Sequence, residues 1–463
     1  MITRVAVVAL TALVLAPLSA QQPATVSLII NNGIVITVDG NRRVLNPGAI
    51  AINGNAIVAV DTPSAVASRY KATQTIDATG QVVMPGLINT HTHAAMVLFR
   101  GLGSDMNLMD WLNKVIFPAE AKTLTADFVR IGTELALLEM IQSGTTYFSD
   151  MYYFMDTVGR AARAAGVRAM VGQTVIDFPT PDANTHEEAI QRTVALAKEF
   201  AGDELITPSI APHAVYTVSA AHLESVSRTA RQLKIPIQIH LSETNDELRQ
   251  SAEQHQARPV AVLDRLNFWA PITVAAHGVW VNDSEIALLK SRNVGIAHNP
   301  ESNMKLSSGT APVVSYRRAG VNVGIGTDGA ASNNDLDMFE AMRQAAFQAK
   351  LVTGDPTAVS AVEAIEMATI GGARVVGQQD RIGSLEAGKR ADLIIVDMSR
   401  PRQTPLYDPV AQVVFATNGN DVVTTIVNGT ILMRDRKVLT MDEGTVLAAA
   451  RGAVATVRKA IAP

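Results

Sequence analysis

Residues 82–93, Val-Val-Met-Pro-Gly-Leu-Ile-Asn-Thr-His-Thr-His, decide how this chain is read. An apolar run stops at Pro85-Gly86, resumes through Leu87 and Ile88, and closes on His91 and His93. In a strand, positions i and i+2 share a face, so both imidazoles aim at one point. Two such histidines at the end of a buried strand suit a divalent transition metal such as zinc.

Working outward, the run is the first of eight. The others cover residues 145–150, 168–177, 206–213, 235–243, 272–277, 294–298 and 321–328, each ending in polar residues. Amphipathic segments separate most of them. In residues 125–143, Phe128, Ile131, Leu135, Leu138 and Ile141 recur at helical spacing, with Thr125 as cap and Gly144 as stop. Strand and helix alternating eight times predict an α/β fold, a (β/α)8 TIM-type barrel, whose active site sits at the C-terminal ends of the strands. The barrel is expected over residues 85–384.

The flanks have another texture. Residues 23–84 are short β-branched runs punctuated by Asn-Gly and Asp-Gly, the marks of hairpins. They predict a small antiparallel sheet with no helix to pack against. The pattern returns in residues 385–463, before a terminal helix. Both ends are therefore expected to form one small β-sandwich domain enclosing the barrel. Residues 1–22 read as a secretory signal peptide: Arg4, an apolar segment at 5–16 too short to span a bilayer, and a cleavage site after Ala20. They predict an exported protein, periplasmic or secreted and not anchored in a membrane, the alternative being a cytoplasmic one whose N-terminal segment is not a true signal.

Composition narrows the chemistry. Apolar residues make up 48% of 463 and charged residues 18%, the balance of a globular protein with a large core. A net charge of −4 without a long basic run argues against nucleic acid as a partner. With no cysteine, any metal must sit on histidines and carboxylates. Six of the nine histidines close an apolar run: His91, His93, His213, His240, His277 and His298. His186, His222 and His255 fall in helical or loop stretches and read as surface residues.

As a set, these endings resemble the amidohydrolase superfamily. Within it they are similar to the family of 5′-methylthioadenosine/S-adenosylhomocysteine deaminases, related to the chlorohydrolases. The motifs that carry the likeness are Pro85–His93, Pro212-His213, His240-Leu241-Ser242-Glu243-Thr244, Ala276-His277-Gly278, the HNPESN of residues 298–303, the GTDGAASNN of residues 326–334 and the GSLEAGKRADLIIVD of residues 383–397. The resemblance implies one metal held by His91, His93, His240 and Asp328, with Zn2+ the expected ion and Fe2+ the alternative. Superfamily members with two metals use a modified lysine on a middle strand, and Lys114, Lys122, Lys198 and Lys234 all miss a strand end.

It further implies hydrolytic deamination of an adenine-type nucleoside by a metal-activated water, giving the inosine analogue and ammonia. Glu243 would shuttle protons, Asp328 would take one from the water, and His277 would orient it, with His298 as support behind. Glu120, in Phe117-Pro118-Ala119-Glu120, would hold the ribose hydroxyls, with His213 near the 5′ side and Trp111 as a wall. Arg163 matches a family arginine that reaches a neighbouring subunit's site, so a homodimer or homotetramer is expected. A second family arginine is replaced by Gln173, which removes a bidentate carboxylate binder. That departure tilts the expectation from S-adenosylhomocysteine toward 5′-methylthioadenosine or adenosine. The alternative is a dechlorinase or deaminase of another heterocycle, such as a triazine, pyrimidine or guanine-like ring.

Overall fold

Pro85-Gly86 is where the chain leaves one sheet and enters another. This computed structural model describes residue 2 and residues 22–461, so the leader read at residues 1–22 lies almost wholly outside the described residues. Upstream of the break run β1 (Ala24–Ile36), β2 (Val44–Asn53), β3 (Ala56–Asp61), β4 (Tyr70–Asp77) and β5 (Gln81–Pro85). Downstream, β6 (Leu87–Thr92) opens the barrel. A Cβ at Gly86 would lie 2.1 Å from Thr146 Oγ1, so the crossing tolerates no side chain.

The barrel continues through β7 (Thr145–Tyr152), β8 (Arg168–Val175), β9 (Ile206–Pro212), β10 (Ile237–Leu241), β11 (Thr273–His277), β12 (Gly295–His298) and β13 (Val323–Ile325). These eight strands form one parallel sheet in sequence order. Its end strands, β6 and β13, meet through side-chain and backbone hydrogen bonds just past β13. Asn89 Nδ2 donates to Thr327 Oγ1 at 2.7 Å, and its Oδ1 accepts from Thr327 N–H at 3.1 Å. Asp328 N–H donates to the His91 carbonyl at 3.0 Å. A Cβ at Gly326 would come within 2.9 Å of the His91 backbone, so this seam closes only on glycine.

Helix Ala126–Ser143 starts where Thr125 caps the Phe128 N–H and stops at left-handed Gly144. Its buried stripe is not centred as the spacing predicted. Gly132 lies against the Ala95 backbone, so Gly132, Ala136 and Met140 face inward while Ile131 and Leu135 are only half-buried. Close backbone approach outranks side-chain size there.

The small domain joins both termini, as expected. β14 (Leu393–Asp397), β15 (Val422–Val427), β16 (Thr430–Arg434) and β17 (Lys437–Val438) continue the N-terminal strands into one nine-stranded sheet, with β14 paired to β5. The sheet is mixed, not antiparallel, because β1 pairs in parallel with β4 and β5. The helix that the sequence did not signal makes this possible. Pro63–Arg69, capped by Thr62, crosses from β3 to β4 and buries Val66 against Val26, Ala49, Ala51 and Ala59. Leu28, Ile30, Ile50 and Val83 from one end share a core with Leu393, Ile395 and Ile426 from the other. The terminal helix Glu443–Ile461 packs on helix Ala126–Ser143.

Sheet and barrel are bolted together under the strand N-termini. Arg168, at the start of β8, pairs bidentately with Asp392 at 2.5 and 3.2 Å, and reaches Asn428 Oδ1 at 2.8 Å. Both charges are buried, with side chains 5% and 2% exposed. Removing one partner of a buried pair costs about 3–5 kcal/mol. Asp392→Ala is therefore expected to lose that much stability in urea unfolding, and Arg168→Met/Asp392→Leu to recover part of it. A loss below about 1 kcal/mol would contradict the bolt.

Candidate active site

Each strand of the barrel delivers its polar ending to the same rim. His91 is the penultimate residue of β6, with His93 just beyond the strand; His240 lies on β10, His277 ends β11, and Asp328 follows β13 across the seam. One ligand atom from each of His91, His93 and His240 lies within 4.8 Å of the others, and the same holds for His91, His277 and Asp328. Asp328 Oδ1 is 3.4 Å from His91 Nε2 and 3.3 Å from His93 Nε2.

Hydrogen bonds aim the rings. His93 Nδ1 donates to the Met151 carbonyl at 2.6 Å, and His240 Nδ1 to the His213 carbonyl at 2.9 Å. That fixes the tautomer and turns both Nε2 lone pairs inward, where they face each other at 3.4 Å. His91 Nε2 is buried without a hydrogen-bond partner. Such lone pairs repel unless a cation sits between them, so the donor set fits a divalent metal. Burial keeps the rings neutral: it pulls His91 down to about 4 and His240 well below its ordinary value. Burial pushes the Asp328 carboxyl up, but the His91, His93 and His277 imidazoles outweigh it and hold it well below the usual range.

Beside this cluster sits Glu243, buried, its Oε1 accepting from the Ser308 hydroxyl at 3.0 Å. Burial raises its pKa, with His277 opposing. His277 Nε2 lies 3.6 Å from Glu243 Oε2 and 4.0 Å from Asp328 Oδ2, while Nδ1 bonds Asn303 Oδ1 at 2.8 Å. Burial disfavours the imidazolium of His277, but the two carboxylates reverse that and raise its pKa. The backbone is strained at the chemistry-bearing positions: φ is +73° at His277, +62° at Asp328 and +50° at Ser242, next to Glu243.

A cleft leads from the cluster, lined by Trp111, Phe117, Glu120, Tyr152, His213 and Tyr216 among others. At its far side Tyr152 donates to Glu120 Oε1 at 2.6 Å, and burial pushes the Glu120 carboxyl up to about 8. His213 Nδ1 bonds the Thr217 hydroxyl at 2.9 Å. Glu120, His213 and Trp111 are thus gathered with the imidazoles and carboxylates in one cavity.

Gln173 and Arg163 are not. Gln173 is buried near the C-terminal end of β8, donating to Asp182 Oδ2 at 3.0 Å, and Asp182 is also paired with Arg192 at 3.1 Å. Arg163 is exposed near the C-terminal end of helix Met155–Ala165, below the strand N-termini. It pairs with Asp203 at 3.4 Å and covers the Phe200 ring, which leaves this chain's own site without it. His298 is buried with both ring nitrogens unpartnered.

Several contacts escaped sequence reasoning. Ser302 donates to Asp328 Oδ2 at 2.6 Å, Asn303 holds His277, and Ser308 holds Glu243. All three follow His298 within eleven residues of sequence, and that clustering was the available signal. Glu247, which the sequence did not single out, accepts the backbone N–H groups of Ser242 and Glu243 at 2.9 and 2.8 Å.

A model of the amidohydrolase family matches residues 82–432. A 5-methylthioadenosine/S-adenosylhomocysteine deaminase of Syntrophobacter fumaroxidans is 46% identical, over 93% of this chain and 98% of its own. A 5′-deoxyadenosine deaminase of Methanosarcina mazei is 43% identical, over 92% and 97%. The solved structure of an adenosine deaminase from Xanthomonas campestris with bound zinc has a TM-score of 0.93 at 40% identity, covering 94% of this chain and all of that one. An atrazine chlorohydrolase from Arthrobacter aurescens complexed with zinc has a TM-score of 0.84 at 24% identity, over 92% of this chain and 100% of that one, a likeness of fold alone.

Proposed function

The chain belongs to the amidohydrolase family, and from that premise and its site we propose that it hydrolyses the exocyclic amine of an adenine-type nucleoside, yielding the inosine analogue and ammonia. One observation carries the reading: a single cleft joins the imidazole cluster and Glu243 to Glu120 and His213 at the other end. The base would lie against the cluster and the sugar against Glu120.

We assign His91, His93, His240 and Asp328 as ligands and Zn2+ as the ion, since three neutral imidazoles and a carboxylate suit it. When bound, the cation acts as a Lewis acid that makes water nucleophilic near neutral pH. The chain's own groups do the rest. Asp328, its Oδ2 held by Ser302, takes a proton from the attacking water. Glu243, kept protonatable by burial, gives its proton to the purine ring nitrogen. It then takes the proton of the hydroxyl now on the ring carbon and hands it to the departing amine, and the proton held on Asp328 restores it. His277, fixed through Nδ1 by Asn303, polarises the water from the opposite side.

Selectivity follows from charge. Among the described residues lining the cleft there is no arginine or lysine, while Glu120, Glu243 and Asp328 are all present. A substrate carboxylate would therefore enter without a cationic partner. Relatives are named for 5′-methylthioadenosine, S-adenosylhomocysteine and 5′-deoxyadenosine. Of these chemistries we propose the nucleosides with an uncharged 5′ group. Ammonia release from 5′-methylthioadenosine, 5′-deoxyadenosine, adenosine, S-adenosylhomocysteine and a chlorotriazine tests both layers. Higher kcat/KM on S-adenosylhomocysteine would overturn the selectivity, and dechlorination without deamination would overturn the activity.

Glu120→Ala is expected to lower kcat/KM on adenosine about 10- to 100-fold, the loss of one or two hydrogen bonds to hydroxyls. With 2′,3′-dideoxyadenosine, wild type and variant should match. Equal losses on both substrates would remove Glu120 from the sugar site.

A further inference from the structure

Outside the catalytic cleft, the described residues hold a second cluster of metal-ligating side chains: Asp177, His186 and His222. From the sequence both histidines read as surface residues. The structure stacks their rings with centroids 3.9 Å apart and planes 4° from parallel. Asp177 follows β8, His186 opens helix His186–Glu199, and His222 lies in the first turn of helix Ala220–Leu233. One ligand atom from each lies within 4.8 Å of the other two.

In the stack the two rings' lone pairs run parallel, so a shared ion requires the part-exposed His222 ring to turn out of it, while the remaining contacts favour one. Asp177 Oδ2 accepts the Ser219 N–H at 2.8 Å, and Oδ1 faces His222 Nδ1 at 2.7 Å. His186 Nε2 meets the Ser225 hydroxyl at 3.0 Å, which leaves Nδ1 buried with no partner in a residue 8% exposed. An imidazole nitrogen buried without a partner is costly. His222 and Asp177 keep side chains 36% and 28% exposed, so solvent can complete a coordination shell.

We infer that Asp177, His186 and His222 form a second divalent transition-metal site, distinct from the catalytic cluster, that clamps the loop of residues 176–185 to helix Ala220–Leu233. Two imidazoles and one carboxylate plus water match the tetrahedral preference of Zn2+, and nitrogen donors disfavour Mg2+ and Ca2+. The ion takes the place of the proton shared by His222 and Asp177. Its effect reaches the cleft through Phe178, next to Asp177, whose ring packs edge-on to Phe117 with centroids 5.6 Å apart. Phe117 lines the cleft, so the clamp steadies its lip.

The test is Zn2+ titration by calorimetry, with metal content by mass spectrometry, on enzyme already holding one equivalent. Wild type is expected to take a second equivalent, with a rise in thermal midpoint. His222→Ala, on the helix surface, and His186→Ala, in the buried position, are each expected to lose both the second equivalent and the rise. Their ammonia release at one equivalent should remain that of the wild type. A wild type that stays at one equivalent in millimolar free Zn2+, or a second equivalent that survives in His222→Ala, overturns the proposal.

Discussion

Glu243→Gln leaves the chain folded and metal-loaded while kcat for ammonia release falls by about a thousand-fold. The glutamine keeps the size of the side chain and an oxygen for the Ser308 hydroxyl, so packing and the 3.0 Å contact survive. What disappears is a group that can take a proton at one moment and give it at the next. Positioned general acid–base groups contribute about 10²–10⁴-fold, and this one serves both ring protonation and amine departure. Steady-state ammonia release, read beside the metal content and thermal midpoint of the same preparation, checks it. A loss under about ten-fold with metal retained would take the shuttle away from Glu243.

Stripping the divalent ion with a chelator is expected to abolish turnover and to destabilise the chain together. Without a cation, the Nε2 lone pairs of His93 and His240 face one another at 3.4 Å, and His91 Nε2 has no partner. An ion present at a thousand times its dissociation constant contributes about 4 kcal/mol to the folded state. Added Zn2+ should restore rate and midpoint in wild type, and neither in His240→Ala. Turnover persisting in metal-free protein would refute the assignment of the cluster.

Much of this site was legible in the sequence for one physical reason. Strands end where polar residues begin, and a parallel barrel puts all those endings on one rim. His91, His93, His240, His277 and Asp328 therefore needed only their own strand to be placed. Glu120 and Tyr152 are different: their 2.6 Å bond joins residues 32 apart on separate elements, and no periodicity encodes it. The Asp177–His186–His222 cluster was hidden likewise, because three segments that each look solvent-facing converge only after the helices dock. The parallel pairing of β1 with β4 was missed because turn signals report neighbours in sequence, whereas this pairing depends on the short helix between β3 and β4. Arg163 could not be placed from one chain, because the role its motif implies belongs to a neighbouring subunit's site. Within its own chain it lies near the C-terminal end of helix Met155–Ala165, beneath the strand N-termini and away from that chain's mouth.

The sheet shared by both termini sets a timetable for synthesis. β5 is complete once residue 85 has been made, yet its partner β14 begins at Leu393. At about 5–20 residues per second, the edge of β5 and the apolar face around Val83 wait on the order of 15–60 s for cover. During that interval the nascent chain presents an unpaired strand edge, the feature most prone to pair with another copy. Shielding by a chaperone matters most for this enzyme while the barrel is being made, and a chain cut short before residue 393 never gains that cover.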